Sequence, residues 1–183
     1  GTLGDYLDGK PRPAREVATL VAPLADAMAY AHGMGIVHRD LKPANIVLRD
    51  GCWDQPVLID FGLAKRPFDR GLTDAQMLIG TPGYMAPEII RGEAPDARTD
   101  LFALGLVGRF AVMGIEVFPE LTGLALLQAI SSRPVNLPRS TSNQLREVLK
   151  HLTTVDRKRR TASARALQAE LDLLAPMPLT VAG

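Results

Sequence analysis

The chain has 183 residues, 46% of them hydrophobic, enough for one domain with a sizeable core and too few for two domains of ordinary size. Its 21 lysines and arginines stand against 20 aspartates and glutamates, so no global field draws it toward nucleic acid or an anionic membrane. The single cysteine, Cys52, excludes an internal disulfide and a cysteine-built metal site, and fits a reducing, cytoplasmic setting.

At the N-terminus no apolar run follows a basic patch. No later stretch approaches the roughly 20 apolar residues of a membrane span, so the chain reads as soluble. Between residues 15 and 34, Val17, Leu20, Val21, Leu24, Met28 and Ala31 recur at i, i+3, i+4, i+7 spacing. That pattern predicts an amphipathic helix ending near Gly33 and Gly35. Two short apolar runs, residues 46–48 and 56–59, flank Asp50-Gly51 and predict a small hairpin with a longer loop.

Residues 61–88 are rich in Gly, Pro, Thr and Asp without a sustained period, and predict an extended loop of the kind a compact domain keeps for function. From Thr99, the apolar residues Leu101, Leu104, Leu106, Val107 and Val112 lead to a stop at Gly114 and predict a central, buried helix. Three further helices are predicted over 120–130, 142–153 and 162–174, with Pro134 and Pro138 separating the first two. Pro176 and Pro178 close the fold, giving a domain over residues 1–175 and a tail over 176–183. No internal repeat or low-complexity segment is present.

Chemistry concentrates in His38-Arg39-Asp40-Leu41-Lys42-Pro43-Ala44-Asn45, between the first long helix and the hairpin. The segment sets a carboxylate, an ammonium and an amide side by side. Phosphoryl transfer needs such a set, because the protein's work is to orient the nucleophile and counter charge on the phosphoryl oxygens. A carboxylate can accept a hydroxyl proton, an ammonium can meet a γ-phosphate, and an amide oxygen can bind a hard cation. Directly after the second strand stands Asp60-Phe61-Gly62, which the hairpin returns toward Asn45, so that the two can converge on the same magnesium ions.

Taken together these segments resemble the protein kinases, in particular the eukaryotic-like (Hanks-type) serine/threonine kinases. His38–Asn45 resembles the catalytic loop and Asp60-Phe61-Gly62 the magnesium-binding motif. Gly80-Thr81-Pro82-Gly83-Tyr84-Met85-Ala86-Pro87-Glu88 resembles the substrate-pocket segment. Asp100 with Leu104-Gly105 resembles the start of the buried central helix, and Arg160, four residues after Asp156, the late arginine motif.

The resemblance implies a mainly α (α+β) fold: a kinase-like C-terminal lobe with one small β-hairpin and no N-terminal lobe. It implies Asp40 as catalytic base, Lys42 as the γ-phosphate contact, and Asn45 and Asp60 as ligands of Mg2+, with Mn2+ as a substitute. Thr81 is similar to the threonine that bonds the catalytic aspartate and lysine. Arg39 would pair with a phosphorylated loop residue, for which Thr73 is the candidate. ATP is the implied cosubstrate, and Lys42 followed by Pro43 points to serine or threonine hydroxyls of proteins as acceptors.

His38 and Phe61 read as core residues by either route, and Glu88 with Arg160 as an ion pair anchoring the substrate segment to the helical base. Outside the motif, Asp40 and Asp60 would be ordinary turn residues. The basic run 157–160 reads as a solvated helix entry.

Two features depart from the family. No G-x-G-x-x-G precedes the first long helix and no V-A-I-K-like strand lysine occurs in these residues, so a separate N-terminal lobe is the expected partner. A pseudokinase lobe that docks proteins is the alternative reading. Gly108-Arg109-Phe110 also replaces the family's aliphatic, aromatic and acid, and Arg109 needs a partner or a route to the surface.

Overall fold

The computed structural model describes residues 1–61, 82–139 and 141–173. Seven α-helices and one two-stranded antiparallel sheet make up the regular structure of the described residues. The mainly α architecture with one hairpin is thus as the sequence predicts. No helix among the described residues is long and apolar enough to cross a membrane.

The first helix, α1 (Leu3–Leu7), is short and was not legible in the apolar spacing. Its signal is a capping box: the Thr2 hydroxyl accepts from the Asp5 N–H while the Asp5 carboxylate accepts from the Thr2 N–H. The second, α2 (Ala14–Gly33), buries Val17, Leu20, Val21, Leu24, Ala25, Met28 and Ala31 along one stripe, as the spacing demands. The hairpin follows as β1 (Ile46–Leu48) and β2 (Pro56–Leu58), with Ile46 opposite Leu58 and Leu48 opposite Pro56. A 3-10 turn at Pro43–Asn45 leads into β1, and another at Arg49–Gly51 begins the connection to β2.

Of the stretch expected to be an extended loop, residues 62–81 lie outside the described part. Residues 82–88 carry local structure that the expectation missed: a 3-10 turn at Pro82–Tyr84 and the start of α3 (Pro87–Ile90). Pro87 explains that start, since its fixed φ suits the first helical position and its missing N–H would have had no helical partner there.

The central helix is α4 (Ala97–Met113). Asp96 caps it by accepting from the Arg98 N–H, and the Thr99 hydroxyl accepts from the Asp96 N–H. Nearly every residue from Thr99 to Val112 is buried. At Gly114 the chain leaves in the left-handed conformation, φ +70°, and a side chain would stand 2.5 Å from the Gly9 carbonyl oxygen.

Around α4 stand α5 (Gly123–Ser132), α6 (Asn143–Leu152) and α7 (Ala164–Asp172). Gly105 and Gly108 let α6 approach α4 closely. A Cβ on Gly105 would lie 2.7 Å from the Leu152 Cβ, and one on Gly108 2.6 Å from Leu149 Cδ2. Helix α2 packs on α4 and α7, while α5 packs on α3 and the Pro82–Tyr84 turn. Fully buried Leu20, Leu24, Leu101, Phe102, Leu104 and Leu149 form the centre of the core, each contributing about 1.5–3 kcal/mol by burial.

Candidate functional site

The loop between α2 and β1 is held by one buried carboxylate. Asp100, in the first turn of α4, accepts from the backbone N–H of His38 at 2.8 Å and of Arg39 at 2.9 Å. Its Oδ2 also accepts from His32 Nε2 at 2.8 Å. These bonds hold Arg39 at φ +68°, a left-handed conformation that a non-glycine residue adopts at a cost of about 1–2 kcal/mol. The loop's shape is therefore imposed from the core of the molecule. His32 was not among the expected site residues; its position in the last turn of α2, six residues before His38, was the available signal.

His38 is buried and satisfied on both ring nitrogens. Nε2 donates to the Ile59 carbonyl at 3.1 Å and Nδ1 accepts from the Asp40 N–H at 3.3 Å, a tautomer fixed by its partners. Its ring lies 4.6 Å from that of Phe61, tilted by 44°. Buried His38 thus packs against half-buried Phe61. By joining the loop to the end of the hairpin, His38 sets the spacing between Asp40 and the Ile59-Asp60 peptide.

Above this base the polar side chains gather. Lys42 Nζ donates to Asp40 Oδ2 at 3.1 Å. Asn45 Nδ2 donates to the Asp40 carbonyl at 2.7 Å and to Asp40 Oδ2 at 3.3 Å. Both contacts run through Nδ2, which leaves Oδ1 as the acceptor end of this buried amide. The Lys42 and Asp40 side chains are 24% and 29% exposed, open enough to meet a ligand and closed enough to hold a direction.

The Ile59 N–H donates to the Asn45 carbonyl at 3.0 Å, extending the hairpin register by one pair. Asp60, exposed and at φ +56°, therefore emerges beside Asn45. The structure thus brings Asp40, Lys42 and Asn45 into contact, and Asp60 follows directly on the residue whose N–H bonds the Asn45 carbonyl. Thr73 and Thr81 lie outside the described residues, as does Gly62. Arg39 is exposed and interacts within the protein.

Below the site Glu88 and Arg160 meet as a bidentate pair at 2.8 and 2.9 Å, with both side chains fully buried. The Thr99 hydroxyl donates to Glu88 Oε1 at 3.0 Å. Arg160 also donates to the carbonyls of Thr154 and Arg98 and stacks 4.8 Å over the Phe102 ring. Burial pushes the Glu88 carboxyl up, but the guanidinium's hydrogen bonds and charge outweigh it and hold the group below its ordinary value.

A second buried polar group links Tyr84, Glu116 and Arg109. The Tyr84 hydroxyl donates to Glu116 Oε1 at 3.0 Å. Burial, then the neighbouring carboxylate, pushes the Tyr84 phenol well above its usual range. Burial likewise raises the Glu116 carboxyl and lowers the Arg109 guanidinium. Arg109, whose partner the sequence left open, donates to the carbonyls of Ile115 and Asn136 at 2.9 and 3.2 Å.

Residues 1–171 match the family model described as the protein kinase domain. The calcium/calmodulin-dependent protein kinase cmkB of Emericella nidulans is 38% identical over 84% of this chain and 39% of its own length. The serine/threonine-protein kinase Pkn1 of Myxococcus xanthus is 38% identical over 79% of this chain and 21% of its own. The human cAMP-dependent protein kinase catalytic subunit PRKX is 34% identical over 90% of this chain and 45% of its own. The chain thus spans less than half the length of each of these relatives. By the match over most of its length and by these likenesses, the chain belongs to the protein kinase domain family, on its serine/threonine side.

Proposed function

We propose that residues 1–175 form the catalytic lobe of a serine/threonine protein kinase, which moves the γ-phosphoryl group of ATP to protein hydroxyls when a lobe bearing a glycine-rich loop and a strand lysine covers it. The observation that carries this reading is the convergence of Lys42 Nζ and Asn45 Nδ2 on Asp40 Oδ2, at 3.1 and 3.3 Å, on a backbone pinned by Asp100.

In this role Asp40 orients the acceptor hydroxyl and accepts its proton. Lys42, reaching the same space, meets the negative charge on the phosphoryl oxygens. Asn45 Oδ1 and the carboxylate of exposed Asp60 are oxygen donors on neighbouring backbone, which suits a hard cation such as Mg2+ or Mn2+. Such a cation neutralises phosphate charge when bound. Thr81 is proposed to brace Asp40 and Lys42, and phosphate on Thr73 to pair with Arg39. The tail expected over 176–183 lies outside the described residues.

The test uses the full-length protein with radiolabelled ATP and magnesium, beside its Asp40→Asn variant. Wild type should incorporate phosphate into serine and threonine of added protein, and the variant should lose it. Equal incorporation by both refutes the role of Asp40, while none by wild type leaves a protein-docking lobe.

A further inference from the structure

Arg109, Glu116 and Tyr84 take no part in the proton and phosphate handling proposed above, yet they come from three separate parts of the fold and are joined by a hydrogen bond from Tyr84 to Glu116 and by the bond of Arg109 to the carbonyl that precedes Glu116. Arg109 lies near the end of α4 and is only 6% exposed. Its Nη1 donates to the Ile115 carbonyl, which belongs to the peptide unit leading into Glu116. The guanidinium thereby fixes the peptide plane from which the Glu116 side chain departs. Its Nε holds the Asn136 carbonyl and ties the same corner to the chain after α5.

Glu116 then reaches the Pro82–Tyr84 turn by accepting from the Tyr84 hydroxyl. Its second oxygen would lie 3.7 Å from a Cβ on Gly83, so the carboxylate sits directly against the turn's backbone. Glu120 adds a second negative charge toward Arg109. Desolvating a phenol, a carboxylate and a guanidinium is costly, and apolar side chains of similar size would fill the space at less cost. What the polar series adds is a single defined height for the turn.

We infer that Glu116 is a positioning residue for the protein substrate: braced by Arg109 through the Ile115 carbonyl, it fixes Tyr84 and with it the Pro82–Ala86 stretch along which the acceptor chain lies. This inference rests on the kinase reading for its substrate. The fixing of the turn is independent of that reading.

The experiment has two arms in the full-length protein. With dephosphorylated casein as acceptor, Tyr84→Phe and Glu116→Ala should each raise the acceptor KM about tenfold, the loss of one charge-assisted hydrogen bond, and leave the ATP KM within about twofold. Glu116→Gln keeps an acceptor oxygen for the phenol and should restore the KM to within about threefold of wild type. The double variant should be no worse than Glu116→Ala alone. Equal changes in both KM values, or additive effects in the double variant, would overturn the inference.

In the second arm, amide hydrogen exchange at residues 83–86 should be about tenfold faster in Glu116→Ala and Tyr84→Phe than in wild type and Glu116→Gln. Unchanged protection overturns the inference whether or not the protein transfers phosphate. Absence of transfer by wild type counts against the kinase reading alone, and the exchange arm then decides the role of Glu116.

Discussion

Adjacent residues at the start of α4 serve two regions built on different physical terms. Thr99 faces the helical base, where its hydroxyl joins the Glu88–Arg160 pair; Asp100 faces the loop, where its carboxylate gathers backbone N–H groups. In the base a full positive charge answers a full negative one, with two further guanidinium donors bonded to backbone carbonyls, and no side-chain surface is left open. The loop is the reverse: its fixed scaffold is buried, while Asp40, Lys42 and Asp60 keep access to solvent. Two non-glycine residues there, Arg39 and Asp60, hold left-handed backbone. One region puts its charges into holding helices together, and the other leaves them available for chemistry.

Substitutions should separate the two regions cleanly. The largest effect belongs to the loop: Asp40→Asn should lower phosphate incorporation by about 10²–10⁴-fold, the range for loss of a general base. The same variant should shift the urea-derived stability by less than about 1 kcal/mol, since Asp40 is partly exposed. A large stability loss would erase the distinction. In the base, Glu88→Ala should cost about 3–5 kcal/mol in urea unfolding, because it strands a buried guanidinium.

Arg160→Lys tests whether geometry or charge matters in that pair. An ammonium keeps the charge but loses the forked contact and the stacking on Phe102, so about 2 kcal/mol should be lost. An unchanged melting temperature would mean that charge alone suffices.

The smallest effect is the pH dependence of the base. Glu88 is held below its ordinary value of 4.5, so the unfolded chain takes up its proton first as pH falls. The associated stability is complete above pH 4.5 and is lost as pH drops through the lower folded value. Glu88→Gln should remove that part of the acid slope in unfolding measured from pH 6 downward, and an identical slope would place the acid sensitivity elsewhere.

The long helices were legible because their signals are local. Apolar spacing over residues 15–34 corresponds to Ala14–Gly33, and the expected limits 142 and 153 are the residues that cap α6. The helix expected over 120–130 begins later, at Gly123, because residues 118–121 form a turn around Phe118 at φ +49°. Apolar spacing carries no mark of that left-handed residue. Helix α1 was missed for another reason: five residues show too little period, although its Thr2–Asp5 box stood in the sequence.

The site divides along the same line. Asp40, Lys42 and Asn45 are close in sequence, so their gathering could be read from spacing, and the hairpin's register returns the backbone just before Asp60 to Asn45. His32 with Asp100, and Arg109 with Glu116 and Tyr84, could not. Each joins side chains whose meeting depends on how whole helices dock.

By itself the sequence determined the helical class, the hairpin, the order of the motifs and the residue types available for phosphoryl transfer, because periodicity, capping and turn chemistry act over a few neighbouring residues. Only the tertiary structure decided which buried carboxylate shapes the loop, where Arg109 finds its partners and how the Pro82–Tyr84 turn is braced. Those outcomes arise from packing α4 against segments distant along the chain, where burial favours pairing of polar groups and the docking geometry chooses which partners they meet.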